Sequence, residues 1–268
     1  PGEVAWYNIT LKNTGTRTVD SFQIEVEDEK DFENIEISPS QLQITSLGTK
    51  KISINISVPS IDDTIIETGI YEIVFKAISE GETSSEEDDI IVHNITLKIK
   101  VMPVYKLQYL IPEGSTSIDP GSTTGNFELN VTNQGNEPVT VLLKKDSQTQ
   151  ASYQKWATIS PATLSDLKPN SAMSSNMKFK VPSGSMAEKV VFYFTAEVSG
   201  HANEAKETAT FELTVEEEFD VSMKVSDGVT IKDVEPNEMA EYIVKLTNEG
   251  NTMDSFDITL SSNKATWA

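Results

Sequence analysis

Four asparagines of this chain lie in Asn-x-Ser/Thr sequons, the sequences at which N-linked glycans are attached. They are Asn8, Asn55, Asn94 and Asn130. In each case the asparagine falls on the polar side of a segment in which apolar and polar residues alternate, so a glycan would point to solvent without disturbing a core. We predict that these residues are glycosylation candidates. Because polar residues prefer that side in any case, unmodified solvent-facing amides are the alternative interpretation.

Clusters of acidic residues are the second chemical feature, because Ca²⁺ prefers clustered carboxylate and carbonyl oxygens. One cluster falls between two predicted domains, where a bound ion could stiffen the joint. It consists of Glu216, Glu217, Glu218 and Asp220. Other acidic runs occur at residues 62–63 and 86–89, and none has EF-hand spacing. The sequence predicts a calcium site at the 216–220 cluster, with solvated acidic loops as the alternative.

The residue types that catalysis and transition-metal binding need are nearly absent from the sequence. The chain has no cysteine and only two histidines, His93 and His201, which fall in different predicted repeats. This excludes disulfides, thiolate metal sites and cysteine nucleophiles, and it argues against a histidine-based zinc site. No Gly-x-Ser-x-Gly elbow, phosphate-binding loop or dinucleotide fingerprint occurs. We predict that both histidines are structural, that the chain is not an enzyme, and that calcium is the only cofactor to consider.

The strongly acidic composition narrows the choice of partners. The 268 residues include 42 acidic and 21 basic side chains, which gives a formal net charge of −21. Such a field repels phosphate backbones, so we exclude nucleic acid as a partner. No apolar run approaches the ~18 residues that a membrane-spanning helix needs. The chain opens with Pro1-Gly2-Glu3, so we expect any secretion signal or membrane anchor to lie outside this segment.

An internal repeat indicates which elements position these residues. Three ten-residue segments align, at 7–16, 127–136 and 242–251. Each contains an Asn-x-Gly element, which begins at Asn13, Asn133 or Asn248, and so recurs after 120 and 115 residues. The match continues downstream in three pairs of segments: 21–24 with 255–258, 37–39 with 159–161, and 58–60 with 181–183. The period is that of one immunoglobulin-sized sandwich.

Within a repeat, the residue pattern is that of antiparallel strands. Apolar and polar side chains alternate along residues 7–12, 52–58 and 93–100, which is typical of strands with one buried face. We predict an all-β fold of tandem immunoglobulin-like antiparallel β-sandwich domains. The predicted domains span residues 1–101, 102–217 and 218–268. Because the linkers are short and not flexible by composition, we expect a semi-rigid rod.

The first and third repeats are predicted to be incomplete. Repeat one begins at the Pro1-Gly2 turn and lacks the first strand that the other two possess, whereas repeat three contains only the N-terminal half. About half a sandwich cannot bury a sufficient core. We therefore expect the sequence to be a window on a longer protein. The alternative is that a neighbouring chain supplies the missing strand.

The Asn-x-Gly element is predicted to be a structural turn. Its glycine would supply the positive φ that a tight reversal needs, and its asparagine would hydrogen-bond to the nearby backbone. Each aligned segment also follows a Pro-Gly or Pro-Asn turn, at residues 1–2, 120–121 and 236–237.

Three tryptophans, Trp6, Trp156 and Trp267, are the aromatic residues to consider for contact with a partner. Trp156 and Trp267 occupy equivalent positions, and we predict that they pack between the two sheets of a sandwich. A platform on which sugar rings stack is the alternative for this pair. Trp6 lies on the opposite face of its strand from Tyr7, and it is predicted to contact a partner or a glycan.

The order of short elements along each repeat resembles a known group of domains. Asn-x-Gly-Asn/Thr, Asp-Ser-Phe, Trp, Ser-Pro and Val-Pro-Ser follow one another. This series resembles the immunoglobulin-like repeats of prokaryotic surface proteins, which include the cell-adhesion-related bacterial (CARDB-like) and the alpha-galactosidase-associated domains. The resemblance covers nearly the whole chain and implies an archaeal-type envelope or S-layer-type protein. Repeat two departs from it at residues 137–139, which argues against a binding role shared by all repeats.

The repeats, the acidity, the sequons and the lack of catalytic motifs favour a structural function. We predict a segment of an extracellular cell-surface protein, an S-layer or envelope stalk whose repeats act as spacer and as lattice or adhesion scaffold. Its predicted partners are neighbouring copies or other envelope proteins, with glycans as further partners. The alternative is an adhesion or carbohydrate-binding accessory module of a larger secreted protein or hydrolase.

Overall fold

A computed structural model describes residues 2–28, 32, 34–80, 91–111 and 115–261 of the chain. Almost all of its regular structure is β-strand, because each alternating segment becomes one strand of a sheet with one buried face. The single α-helix in this part of the chain, α1, is one turn at Ala151–Gln154. None of the described residues forms a helix with the length and apolar character that crossing a bilayer requires.

The described residues of the first repeat form seven strands in two antiparallel sheets. The strands are β1 (Val4–Lys12), β2 (Val19–Asp28), β3 (Asn34–Ser38), β4 (Gln41–Ile44), β5 (Thr49–Ser57), β6 (Gly69–Glu80) and β7 (Ile91–Val101). One sheet has the order β1-β5-β3 and the other has the order β4-β2-β6-β7. The two sheets pack face to face, as in an immunoglobulin-like sandwich.

The second repeat has the same arrangement with two additional strands. Its strands are β8 (Leu107–Leu110), β9 (Ser115–Ile118), β10 (Phe127–Asn133), β11 (Val139–Lys145), β12 (Ala157–Ser160), β13 (Thr163–Leu167), β14 (Ala172–Phe179), β15 (Lys189–Val198) and β16 (Lys206–Val215). The sheet orders are β12-β14-β10-β8 and β13-β11-β15-β16-β9. Strands β10 to β16 therefore pair as β1 to β7 do, and β9 is added parallel to β16.

Each sandwich closes around a core of its own. In the first repeat, alternate residues of β5 from Ile52 to Ile56 are almost fully buried. The second core is more aromatic, because the ring of Phe179 lies 4.6 Å from that of Phe192 and 5.1 Å from that of Phe211, between centroids. Among the described residues, no buried residue is shared by the two cores. We therefore expect the two sandwiches to respond separately to core substitutions.

The third repeat contributes one two-stranded sheet within the described residues. Strand β17 (Val221–Val225) pairs with β18 (Val244–Asn248) and repeats the pairing of β8 with β10. Apolar side chains of this pair, such as Met223 at 64% exposure, lie open to solvent. The fold is all-β, a tandem array of immunoglobulin-like antiparallel β-sandwich domains, and this prediction is confirmed.

The Asn-x-Gly element is a turn, as predicted, but its glycine serves a different purpose. In all three repeats the asparagine Oδ1 accepts a hydrogen bond from the backbone N–H of the glycine, at 2.9, 2.9 and 3.0 Å. The prediction of a positive φ at these glycines is wrong. Positive φ values occur instead in the turns that precede the aligned strands, at Gly2, Gly121 and Asn237. The glycines of the Asn-x-Gly turns are therefore not needed for a positive φ.

Candidate functional site

The junction between the first two repeats is organised by the buried side chain of Asn136. Its Nδ2 donates hydrogen bonds to the carbonyl of Ile66 in repeat one, at 3.0 Å, and to the carbonyl of Met102 at 3.2 Å. Met102 lies in the linker between β7 and β8, residues 102–106. The Oδ1 of Asn136 accepts from the backbone N–H of Val104 at 2.7 Å. The backbone carbonyl of Asn136 also accepts from the N–H of Thr68 at 3.1 Å. One residue of repeat two therefore binds both repeat one and the linker.

The neighbouring glycine allows the linker to pack directly against this turn. A Cβ atom at Gly135 would lie 2.2 Å from the carbonyl oxygen of Val104 and 3.2 Å from the backbone nitrogen of Lys106. Both are backbone atoms of the linker, so no side-chain movement would relieve the overlap. At Gly15 in repeat one, an added Cβ would meet the Oδ1 of Asn13 at 3.1 Å and no linker atom. The same motif therefore makes a close backbone contact in one repeat and not in the other.

Two side-chain contacts flank the first junction. The Nζ of Lys106 lies 2.7 Å from a carboxylate oxygen of Asp62, which belongs to one of the acidic runs of repeat one. Because both side chains are substantially exposed, such a pair contributes about 0–1 kcal/mol. The ring of Tyr105 stacks on His201, with centroids 3.9 Å apart. Partial burial raises the pKa of the Tyr105 hydroxyl, and nearby glutamates raise it further.

The second junction is organised by Asn251 in the same way. Its Nδ2 donates to the carbonyl of Ser185 at 3.1 Å and to that of Glu216 at 2.8 Å. Its Oδ1 accepts from the backbone N–H of Glu218 at 2.7 Å. Its backbone carbonyl accepts from the N–H of Ala187 at 3.2 Å. Here too, one asparagine connects a loop of the preceding repeat to the linker, which spans residues 216–220 between β16 and β17.

The predicted calcium ligands at this junction do not converge on a common point. Within the described ranges, no three histidine or acidic side chains form a group that could hold a metal ion. Glu216 and Glu218 contribute backbone atoms to the contact with Asn251, and the Asp220 carboxylate accepts from the N–H of Val221 at 2.8 Å. Calcium binding by Glu216, Glu217, Glu218 and Asp220 stays a prediction, without a preformed site. The acidic run at 86–89 lies outside the described residues.

The four sequon asparagines divide into two pairs according to the position of their strands. Asn8 and Asn94 are exposed and lie on the edge strands β1 and β7. Asn55 and Asn130 lie on the central strands β5 and β10 and are half-buried. The Nδ2 of Asn55, the atom that would carry a glycan, lies 3.5 Å from a carboxylate oxygen of Glu36. The structure therefore leaves most room for a glycan at the two edge-strand positions.

Trp6 is the most exposed aromatic ring on the sheets of repeat one, with 70% of its surface accessible. It lies on the solvent-facing side of β1, in register with Asn55 of β5 and Glu36 of β3. The Oδ1 of Asn55 is buried and has no hydrogen-bond partner in this part of the structure. An aromatic ring, an amide and a carboxylate thus follow one another across this face, which we call the Trp6 face. These groups suit contact with a sugar ring or with a partner protein.

The other tryptophan that the structure describes is part of a core. Trp156 is only 8% exposed and meets Tyr153 edge to face, with centroids 4.8 Å apart. The prediction of a core tryptophan is confirmed at this position, whereas Trp267 lies outside the described residues. His201 follows the hairpin turn at Gly200. His93 lies on the apolar side of β7 but is exposed, because a groove opens there.

The groove has a volume of about 650 Å³ and lies between the two sheets of repeat one. Its apolar lining includes Leu11, Phe22 and Ile95. In repeat two, β8 and β9 pair with the equivalent sheet edges and bury Leu107 and Ile118. No described strand pairs with these edges in repeat one. That a neighbouring chain or another segment covers the groove stays a prediction.

The residues missed by sequence analysis are Asn136 and Asn251. The available signal was the last position of the aligned segments, where two repeats have asparagine and the first has Thr16. The sequence around that position indicates only a turn, because the atoms that the asparagine binds lie elsewhere in the chain. The partner of Asn136 in repeat one, for example, is 70 residues away in sequence.

Comparisons with known proteins give similarities to solved structures only. No family model and no curated protein matches the chain. Similar structures include mouse cadherin-23 EC22–24, with a TM-score of 0.47, 10% identity, and coverage of 90% of this chain and 68% of that one. Zebrafish RET cadherin-like domains 1 to 4 have a TM-score of 0.38 and 9% identity, with coverage of 84% of this chain and 52% of that one. The Pseudomonas aeruginosa CupB2 chaperone has a TM-score of 0.29 and 10% identity, with coverage of 78% of this chain and 92% of that one. With such identities and TM-scores, these likenesses add nothing about function.

Proposed function

We propose that this chain is a structural segment of an extracellular cell-surface protein, of the S-layer or envelope-stalk type. Its immunoglobulin-like repeats would act as a spacer and as a lattice or adhesion scaffold. The observation that carries this proposal is that a single asparagine hydrogen-bonds both sides of each junction. Sandwiches that are joined in this way keep their spacing, which is what a stalk or lattice element requires.

The surface chemistry supports an extracellular location. The net charge of −21 keeps the repeats soluble and attracts counter-ions. The exposed amides of Asn8 and Asn94 offer attachment points for glycans on strands at the edges of their sheets. The proposed partners are neighbouring copies of the chain or other envelope proteins, which would meet these repeats side by side.

Protease shaving of intact host cells, followed by mass spectrometry, tests this function. Peptides of this chain should be released from unpermeabilised cells, and those containing Asn8 and Asn94 should carry glycan masses. Peptides containing Asn55 and Asn130 should be unmodified, because their amides are half-buried on central strands. Recovery of the chain only from the cytosol of lysed cells would contradict the proposal.

The Trp6 face supports a second candidate function, adhesion through carbohydrate or protein recognition. The exposed indole of Trp6 lies in register with Asn55 and, beyond it, with the exposed Glu36, so stacking on the indole and hydrogen bonding to the Glu36 carboxylate are both available to one ligand. This function is compatible with a role as scaffold, because the face lies on a sheet of repeat one.

A glycan array with purified chain and a Trp6→Ala variant tests the second function. A glycan bound at the Trp6 face should lose affinity by about tenfold or more, which corresponds to about 1.4 kcal/mol. Met186→Ala is the matched control, because Met186 is equally exposed at 70% but lies in repeat two. Binding that is unchanged in Trp6→Ala, or an array without any bound glycan, would remove the support for carbohydrate recognition.

A further inference from the structure

The two junctions between repeats use the same set of hydrogen bonds. In both, the asparagine Oδ1 accepts from a linker N–H at 2.7 Å, and Nδ2 donates to one loop carbonyl and one linker carbonyl. In both, the backbone N–H of the asparagine donates to the linker and its carbonyl accepts from the loop of the preceding repeat. The sequences of the linkers and loops differ, but the bonded partners are all backbone groups. A side chain that binds only backbone groups can act on any preceding repeat of this kind.

The glycine before each of these asparagines shows the same steric requirement. A Cβ at Gly135 or at Gly250 would lie 2.2 Å from the carbonyl oxygen of Val104 or Glu218, respectively. The linker backbone therefore lies against the turn at both junctions, and only glycine leaves enough space for it. Because the two junctions make the same contacts with linkers of different sequence, the turn is a docking surface and the contacts are not due to chance.

We propose that the Asn-x-Gly-Asn turn is the surface through which a repeat docks onto the repeat before it. Asn136 and Asn251 are the positioning residues that fix the angle between neighbouring sandwiches. The partner that this surface recognises is the loop before β6 in repeat one, or before the equivalent strand β15 in repeat two, together with the linker that follows that repeat. The inference does not depend on the proposed function, because it concerns contacts within one chain.

The chemistry of the asparagine side chain explains why this residue type is used. The amide offers two donors and an acceptor on one rigid plane, and Asn136 uses all three groups while fully buried. Thr16, at the equivalent position of repeat one, has a single hydroxyl, which has only one hydrogen to donate. A repeat with threonine at this position would be held less firmly. Without such bonds, relative motion is the usual behaviour of neighbouring domains.

The test uses spin labels, because the cysteine-free chain allows specific labelling at introduced cysteines. Labels at Lys51→Cys in β5 and Lys178→Cys in β14 report the distance between the sandwiches of repeats one and two by pulsed electron spin resonance. Both lysines are exposed and lie away from the junction. The parent should give one narrow distance distribution. Asn136→Ala should broaden it about twofold, as expected for domains that move independently.

Two further variants make the result specific. Asn176→Ala removes an exposed asparagine amide from β14 of the same repeat, and it should leave the distribution unchanged. Asn136→Asp keeps the acceptor for Val104 but has no donor for Ile66 and Met102, so it should also broaden the distribution. If circular dichroism shows that Asn136→Ala does not fold, Asn136→Asp takes its place in the distance measurement. The proposal would be overturned if a folded Asn136 variant had the same mean distance and the same distribution width as the parent. Equal broadening of the distance distribution in Asn176→Ala would also overturn it.

Discussion

Replacement of Gly135 by alanine is expected to destabilise repeat two by about 3 kcal/mol, whereas the same change at Gly15 should cost less than about 1 kcal/mol. The reason is the 2.2 Å approach of a Cβ at Gly135 to the carbonyl oxygen of Val104, which is a backbone atom. At Gly15 the nearest atom is the side-chain oxygen of Asn13, at 3.1 Å. The two glycines occupy equivalent positions in the repeat alignment. A difference between the destabilisation at Gly135 and at Gly15 would therefore be due to the linker that packs against Gly135.

Urea denaturation monitored by the fluorescence of Trp156 measures this effect. Replacement of Trp6 and Trp267 by phenylalanine in every protein makes Trp156 the sole reporter, and Trp156 lies in the core of repeat two. Gly15→Ala is followed by circular dichroism, since it lies in repeat one. Gly125→Ala is the control, because a Cβ there meets nothing within 4 Å, and it should remain within about 0.5–1 kcal/mol of the parent. Equal stabilities for Gly135→Ala and Gly125→Ala would contradict the close approach of the linker.

Replacement of Phe179 by alanine is expected to lower the free energy of unfolding of repeat two by about 4 kcal/mol. Phe179 is fully buried, and its ring lies among those of Phe127, Phe192, Phe194 and Phe211. Its removal therefore leaves a cavity between the two sheets that the surrounding rings cannot fill. Repeat one should keep its stability, because its core shares no described residue with that of repeat two.

Hydrogen exchange followed by mass spectrometry distinguishes the two repeats in one experiment. Peptides from β14 and β15 should lose protection in Phe179→Ala, whereas peptides from β5 should exchange as in the parent. Phe219→Ala is the matched control, because Phe219 is 60% exposed, and it should change stability by less than about 0.5 kcal/mol. Loss of protection in β5 to the same extent as in β14 would show that the sandwiches unfold as one unit.

The strand pattern could be predicted from the sequence, because each strand is specified by residues that are close together in the chain. Alternation along Ile52–Ile56 requires only a period of two, and the structure buries these residues on one face. The position of Trp156 in a core could be predicted from its place in the repeat, because tryptophan packs between the two sheets of immunoglobulin-like sandwiches. Exposure of the sequon asparagines could be predicted only in part. Their solvent-facing side follows from alternation, but whether a strand is central or at an edge depends on the order of strands in the sheet.

By itself, the sequence determined that this chain is all-β, that its sandwiches repeat, and that a turn follows each aligned strand. The tertiary structure alone decided which turn residues join the repeats. Asn136 binds the carbonyl of Ile66, 70 residues away, and Gly135 is needed because the linker passes against it. Both contacts are made to backbone carbonyl oxygens, which every residue type has, so the residue types of the partners do not indicate the contact. Such contacts become visible only when the folded chain brings the two segments together.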